Sequence, residues 1–234
     1  MNLDGTNPVQ LTSNALNHLA PRWSPNGTKI AYIEPSSSAL VTINPDNSNR
    51  TALVSDASVF EPSWSPDGTK LTYTCNSSAI CTINSDGSNR TQLTPTASDT
   101  TPSWSPDGTR IAFTRNGVGI FTMNTDGTAQ TQITFDSTDT SPSWSPLGNK
   151  IAFLRTTGGA LILHTMNTNG TGITQLMFSG PNGIPSWTPD ASKIIFVRFN
   201  GAVYNIYTIN PDGTNLTELS VLTGQNKSSP SWQP

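Results

Sequence analysis

Hydrolysis by a protein side chain needs a base beside a hydroxyl or thiol, or a set of metal ligands at regular spacing. This chain offers two histidines, His18 and His164, set far apart, and two cysteines, Cys75 and Cys81. It contains no HExxH, no GxSxG and no Cys–His arrangement. Its many hydroxyls have ordinary nucleophilicity without a base, and most aspartates fall in Asp-Gly turns (Asp67, Asp86, Asp107, Asp126, Asp212). The residues therefore read as non-enzymatic, with no catalytic residue, metal ligand or cofactor expected. One charged pattern stands out. Arg115, Arg155 and Arg198 occupy equivalent places, where two earlier copies of the same segment carry Glu34 and Cys75; Asp99 and Asp139 each lie five residues before a tryptophan. Such groups either pair, pinning loops, or form a charged rim that meets a ligand.

Those places are equivalent because the chain repeats. Tryptophans stand at 23, 64, 104, 144, 187 and 232, spaced by 41, 40, 40, 43 and 45 residues. A second marker keeps the same beat: "MNLDGT", "INPDNS", "INSDGS", "MNTDGT", "MNTNGT" and "INPDGT". Within a repeat the apolar period is two, as in "KLTYTC", which indicates strands. "SPDGT" and "NTDGT" are tight-turn sequences in which Asp bonds its own backbone and Gly takes a left-handed conformation. Each repeat thus reads as four antiparallel strands, A ("PSW"), B ("RIAFT"), C ("GIFTMN") and D ("TQIT"), with a loop of about ten residues to the next A.

Four strands in 40 to 45 residues define a β-propeller blade. A blade is covered on both sides by its neighbours, so its B strand is apolar at both parities ("IIFV"), and its Trp serves as a wedge between sheets. The expected fold is all-β: a single β-propeller domain, 1–234, of four-stranded antiparallel blades. Five complete blades start near 20, 61, 101, 141 and 184, and a split, incomplete sixth is assembled from 228–234 and 1–12. A closed five-bladed ring is the alternative. Cys75 and Cys81 flank a B–C turn; if Tyr73 faces Ile83, residue 75 lies opposite 81 and a disulfide is feasible for α-carbons within about 7 Å. Such a bond belongs to an oxidising compartment.

The repeat "PSWSPDGTRIAFT…GIFTMNTDGTAQTQIT" resembles that of the TolB-like, WD40-like (PD40) propellers, over essentially the whole chain. The resemblance implies a six-bladed ring, an extracytoplasmic (periplasmic or secreted) location and protein–protein contact. Related propellers also accompany catalytic domains, as in prolyl oligopeptidase-type enzymes, but no hydrolase domain is visible here. The departure is at closure: a sixth blade built from both termini lacks B and most of C.

With 12% charged residues and a net charge of −3, the chain has no general attraction for nucleic acid, and no apolar run of about 18 residues exists for membrane insertion. "MNLDGTNPVQ" has neither the basic nor the apolar region of a signal peptide. The D–A loops differ while the strands stay regular, which is how a binding surface is built on a rigid frame. Phe60, Phe178, Asn182 and Gln225 are its exposed candidates, joined by the rim residues Asp99, Arg115, Asp139, Arg155 and Arg198. The expected role is a binding scaffold for a protein, peptide or glycan. The alternatives are an assembly subunit or a fragment of a longer array, its incomplete blade completed by another chain through self-association, or, behind these, the accessory propeller of a hydrolase.

Overall fold

The computed structural model describes residues 11–12, 18–55, 58–76, 78–95, 98–177, 181–199, 202–219 and 230–232. They form five four-stranded antiparallel sheets in which strands pair in sequence order. The first blade holds β1 (Leu19–Trp23), β2 (Ile30–Glu34), β3 (Ala39–Ile43) and β4 (Thr51–Ser55). The second holds β5 (Phe60–Trp64), β6 (Lys70–Cys75), β7 (Ala79–Asn84) and β8 (Thr91–Gln92). The third holds β9 (Asp99–Trp104), β10 (Arg110–Arg115), β11 (Gly119–Asn124) and β12 (Thr131–Gln132). The fourth holds β13 (Thr140–Trp144), β14 (Lys150–Thr157), β15 (Ala160–Asn167) and β16 (Thr174–Gln175). The fifth holds β17 (Pro181–Trp187), β18 (Ile194–Phe199), β19 (Tyr204–Ile209) and β20 (Thr217–Glu218).

The inner hairpin of each blade is written locally. In the second, Ser65 Oγ donates to Asp67 Oδ1 (2.6 Å) and accepts from the Lys70 N–H (2.9 Å), while the Thr69 N–H donates to Asp67 Oδ1 (3.0 Å). Gly68 supplies the left-handed φ of +69° that the turn requires. Ser105, Asp107 and Thr109 repeat this pattern, as do Thr188, Asp190 and Ser192. In the fourth blade Leu147 replaces the aspartate and Asn149 accepts from Ser145 instead (3.0 Å).

The blades then lean on one another. Tyr73, Phe113, Phe153 and Phe196 are fully buried at matching B-strand positions, each inside a cluster shared with the preceding blade. Burying each side chain contributes about 2–3 kcal/mol. Two tryptophans bond backward as well as pack: Trp64 Nε1 donates to the Arg22 carbonyl (3.1 Å) and Trp187 Nε1 to that of Ser143 (3.0 Å). Trp104 and Trp144 are half-buried, and their indole N–H groups have no partner. The residue before each inner proline carries a positive φ in four blades (Ala20 49°, Glu61 54°, Thr101 52°, Ser141 57°), the site of a β-bulge. The bulge turns amides toward the neighbour: the Thr101 and Ser141 N–H groups donate to Thr74 Oγ1 (3.2 Å) and Thr114 Oγ1 (2.9 Å) of the preceding blades.

Five blades match the five-bladed alternative and the five complete blades of the main expectation. Most of the split sixth lies outside the described residues. Of the two segments assigned to it, residues 11–12 and 230–232 are described. Ser231 Oγ accepts from the Trp23 N–H (3.4 Å), as Ser63 and Ser103 accept from Trp104 (3.4 Å) and Trp144 (3.2 Å) between successive blades. Trp232 borders one surface cleft with Pro189 and Asp190 of the fifth blade, as Trp104 does with Pro66 and Asp67 of the second. Leu11 packs against the first blade's Tyr32 and Val41 cluster.

One register differs from expectation. Tyr73 pairs with Cys81, Leu71 with Ile83 and Cys75 with Ala79, a shift of two residues. The turn is tighter than a Tyr73–Ile83 pairing implies, with the Ser78 N–H donating to the Cys75 carbonyl (3.1 Å). Cys75 and Cys81 still form a disulfide, on the diagonal rather than directly opposite, with α-carbons 5.8 Å apart. Among the described residues no helix is long and apolar enough to cross a membrane.

Candidate binding face

The ring has two faces. The A–B and C–D turns lie on one; the B–C turns and D–A loops lie on the other, at the ends of the B strands where Arg115 and Arg155 stand. Arg115 meets Asp99 through two parallel bonds, Nε to Oδ1 (2.8 Å) and Nη2 to Oδ2 (2.9 Å). Arg155 holds Asp139 in the same way, at 2.6 and 2.8 Å, and also lies 3.3 Å from Asp136. Both paired carboxylates are buried, whereas the arginines keep 22% of their side-chain surface. The hydrogen bonds from Asp99 and Asp139 raise the guanidinium pKa values, fixing both arginines as cations. Arg115 also stacks on Phe121, 4.5 Å from the ring centre, and donates to Gln130 (2.9 Å). This is the pinning geometry: each pair ties the loop before an A strand to the B strand beside it.

The same end is fastened differently in other blades. In the first, Glu34 receives Arg50 (2.6 Å) and Ser37 (2.7 Å), and its pKa is lowered, first by Ser37. In the second it is the disulfide. In the fifth, Pro181 is the register partner of Arg198, where Asp99 is that of Arg115, and Arg198 lies over the Tyr207 ring (5.8 Å). Arg115 and Arg155 share both a position and a carboxylate partner; Arg198 shares the position.

Phe60 is 45% exposed at the start of β5. Asn182 pairs in β17 with Val197; Phe178 and Gln225 lie outside the described residues. Sequence reasoning missed four further apolar side chains on this face: Leu19, Val118, Phe199 and above all Phe135, which is 82% exposed in the third D–A loop. The available signal was an aromatic residue following "TQIT" and surrounded by polar loop residues. His164 is a core residue, stacked on Phe153 at 5.4 Å, with Nδ1 3.0 Å from the Ile162 carbonyl oxygen and its pKa lowered by burial.

A ring of four-stranded antiparallel blades around a channel, with loops tied down on one face, defines a β-propeller. The chain belongs to the TolB beta propeller domain family (PD40), whose model matches residues 1–234. No curated protein matches the sequence. Among solved structures it is similar to TolB from Acinetobacter baumannii (23% identity, TM-score 0.87), covering 98% of this chain and 60% of that one. The chain therefore spans about 60% of that protein's length. It is also similar to a putative TolB from Agrobacterium tumefaciens (20%, 0.79; 89% and 82% covered). A third neighbour is oligogalacturonate lyase from Vibrio parahaemolyticus (14%, 0.64; 91% and 68% covered). At these identities the likeness shows the fold alone.

Proposed function

We propose that this chain is a non-enzymatic binding scaffold that engages a protein through the face carrying its D–A loops and B–C turns, in an extracytoplasmic compartment. The observation that carries the reading is the gathering of Leu19, Phe60, Val118, Phe135 and Phe199 at that face, around loops anchored by the Asp99–Arg115 and Asp139–Arg155 pairs. Exposed aromatic residues on a pre-ordered frame supply contact area at small entropic cost, which suits a protein or peptide ligand better than a glycan. The Cys75–Cys81 disulfide supports an oxidising location.

The test compares faces. The chain is immobilised and exposed to the extracytoplasmic fraction of its source cells. In parallel, a Phe60→Ser/Phe135→Ser variant is matched against a Leu147→Ser/Leu216→Ser variant of the opposite face. The expected result is a partner captured by the parent and by the opposite-face variant and lost from the first, with all melting temperatures within a few degrees. Equal capture by both variants, or turnover of a substrate by the isolated chain, overturns the reading.

A further inference from the structure

We propose that the central channel is a binding site for a small zwitterion of the free amino-acid class, its carboxylate held by Arg22 and its ammonium group by Glu61. The channel runs beside the A strands and encloses about 280 Å³. Serines line it at one repeated position: Ser63, Ser103, Ser143, Ser186 and Ser231. The first blade breaks that series with Arg22 ("APRW"), and the second blade places Glu61 two residues before its serine.

Neither charge is matched by an opposite charge within 4.0 Å among the described residues. Among the described residues the Arg22 guanidinium makes a single hydrogen bond, from Nη1 to the Pro21 carbonyl of its own strand (3.1 Å), although it has five N–H donors. Glu61 accepts on Oε2 from the Thr101 N–H (3.0 Å) and Thr74 Oγ1 (3.3 Å), and among the described residues no hydrogen bond ties Oε1. The two groups feel one another's charge, yet they form no ion pair within 4.0 Å. Burial lowers the Arg22 pKa to about 10 and raises that of Glu61, so each charge is held with incomplete compensation. A guanidinium is matched to a carboxylate and a carboxylate to an ammonium. A molecule carrying both is complementary to the two charges that share this channel, and its serine hydroxyls offer further hydrogen bonds.

The repeat supplies the control. Arg22→Ser restores the residue that five other copies carry, and Glu61→Thr restores that of the third blade. Calorimetric titration of the full chain with glycine, L-alanine and L-glutamine, against acetate and methylamine, provides the readout. We expect at least one amino acid to bind at least tenfold more tightly than either single-charge probe. Arg22→Ser is expected to abolish that binding and Glu61→Thr to weaken it tenfold or more, with both variants melting at or above the parent temperature. Four results overturn the proposal: no saturable binding of the three amino acids, acetate binding as tightly, undiminished binding by Arg22→Ser, or a fall of more than about 10 °C in the melting temperature of Arg22→Ser, which makes Arg22 part of the frame.

Discussion

Removing either half of the Asp99–Arg115 pair tests the pinning geometry, because the two halves differ in burial. Asp99 is completely buried, while Arg115 keeps 22% of its side-chain surface and bonds Gln130 as well. Arg115→Ala strands a carboxylate with no access to water, and removing one partner of a buried pair costs about 3–5 kcal/mol. Asp99→Ala leaves a guanidinium that can turn toward solvent, stay on Phe121 and keep Gln130, so about 2 kcal/mol is expected. The double variant leaves no orphan charge and should be more stable than Arg115→Ala alone, by about 1–2 kcal/mol. At this chain length 1 kcal/mol moves the melting temperature by about 2–4 °C, so the order is readable by calorimetry and confirmed by urea unfolding. If Asp99→Ala proves the more damaging substitution, or if the two losses simply add, the pair does not act as a buried anchor and the argument fails.

Three further outcomes follow from the geometry. Trp187→Phe should lose about 1 kcal/mol more than Trp144→Phe, since only Trp187 donates to a neighbouring blade, a difference checked by chemical denaturation. Cys75→Ser/Cys81→Ser should cost about 2 kcal/mol, at the lower end for a disulfide because the loop it closes is short, and should match the parent measured under reducing conditions. The depressed pKa of His164 means the unfolded chain binds its proton more readily. Stability should therefore be constant above about pH 6.5 and fall as pH drops from there toward the folded pKa; His164→Phe, which copies Phe121 of the third blade, should remove that slope in melting experiments across pH 5 to 7.

Much of the fold was legible because its instructions are short-range. The "SPDGT" turn closes through bonds two to five residues apart, so Ser65, Asp67 and Gly68 specify it wherever they recur. The tryptophan beat then marks the inner strand of each of the five blades, with Trp232 left over beyond the fifth. Short-range reasoning failed where a turn could close in more than one length. Setting Tyr73 opposite Ile83 implied a wider loop, whereas Ser78 bonds Cys75 and the register lies two residues away. On the loop face, sequence position grouped the three arginines, but it could not show that Arg115 and Arg155 grip buried carboxylates while Arg198 pairs in register with a proline.

The amino-acid order alone determined strands, turns, repeat length and the wedge residue of every blade, because each depends on neighbours within one hairpin. Only the closed ring decided which side chains share a space. It set Arg22 and Glu61 of successive blades in one channel, and it brought Ser231 to Trp23, 208 residues away. Contacts of that range arise from the summed tilt and packing of whole sheets, a quantity no local stretch of sequence encodes.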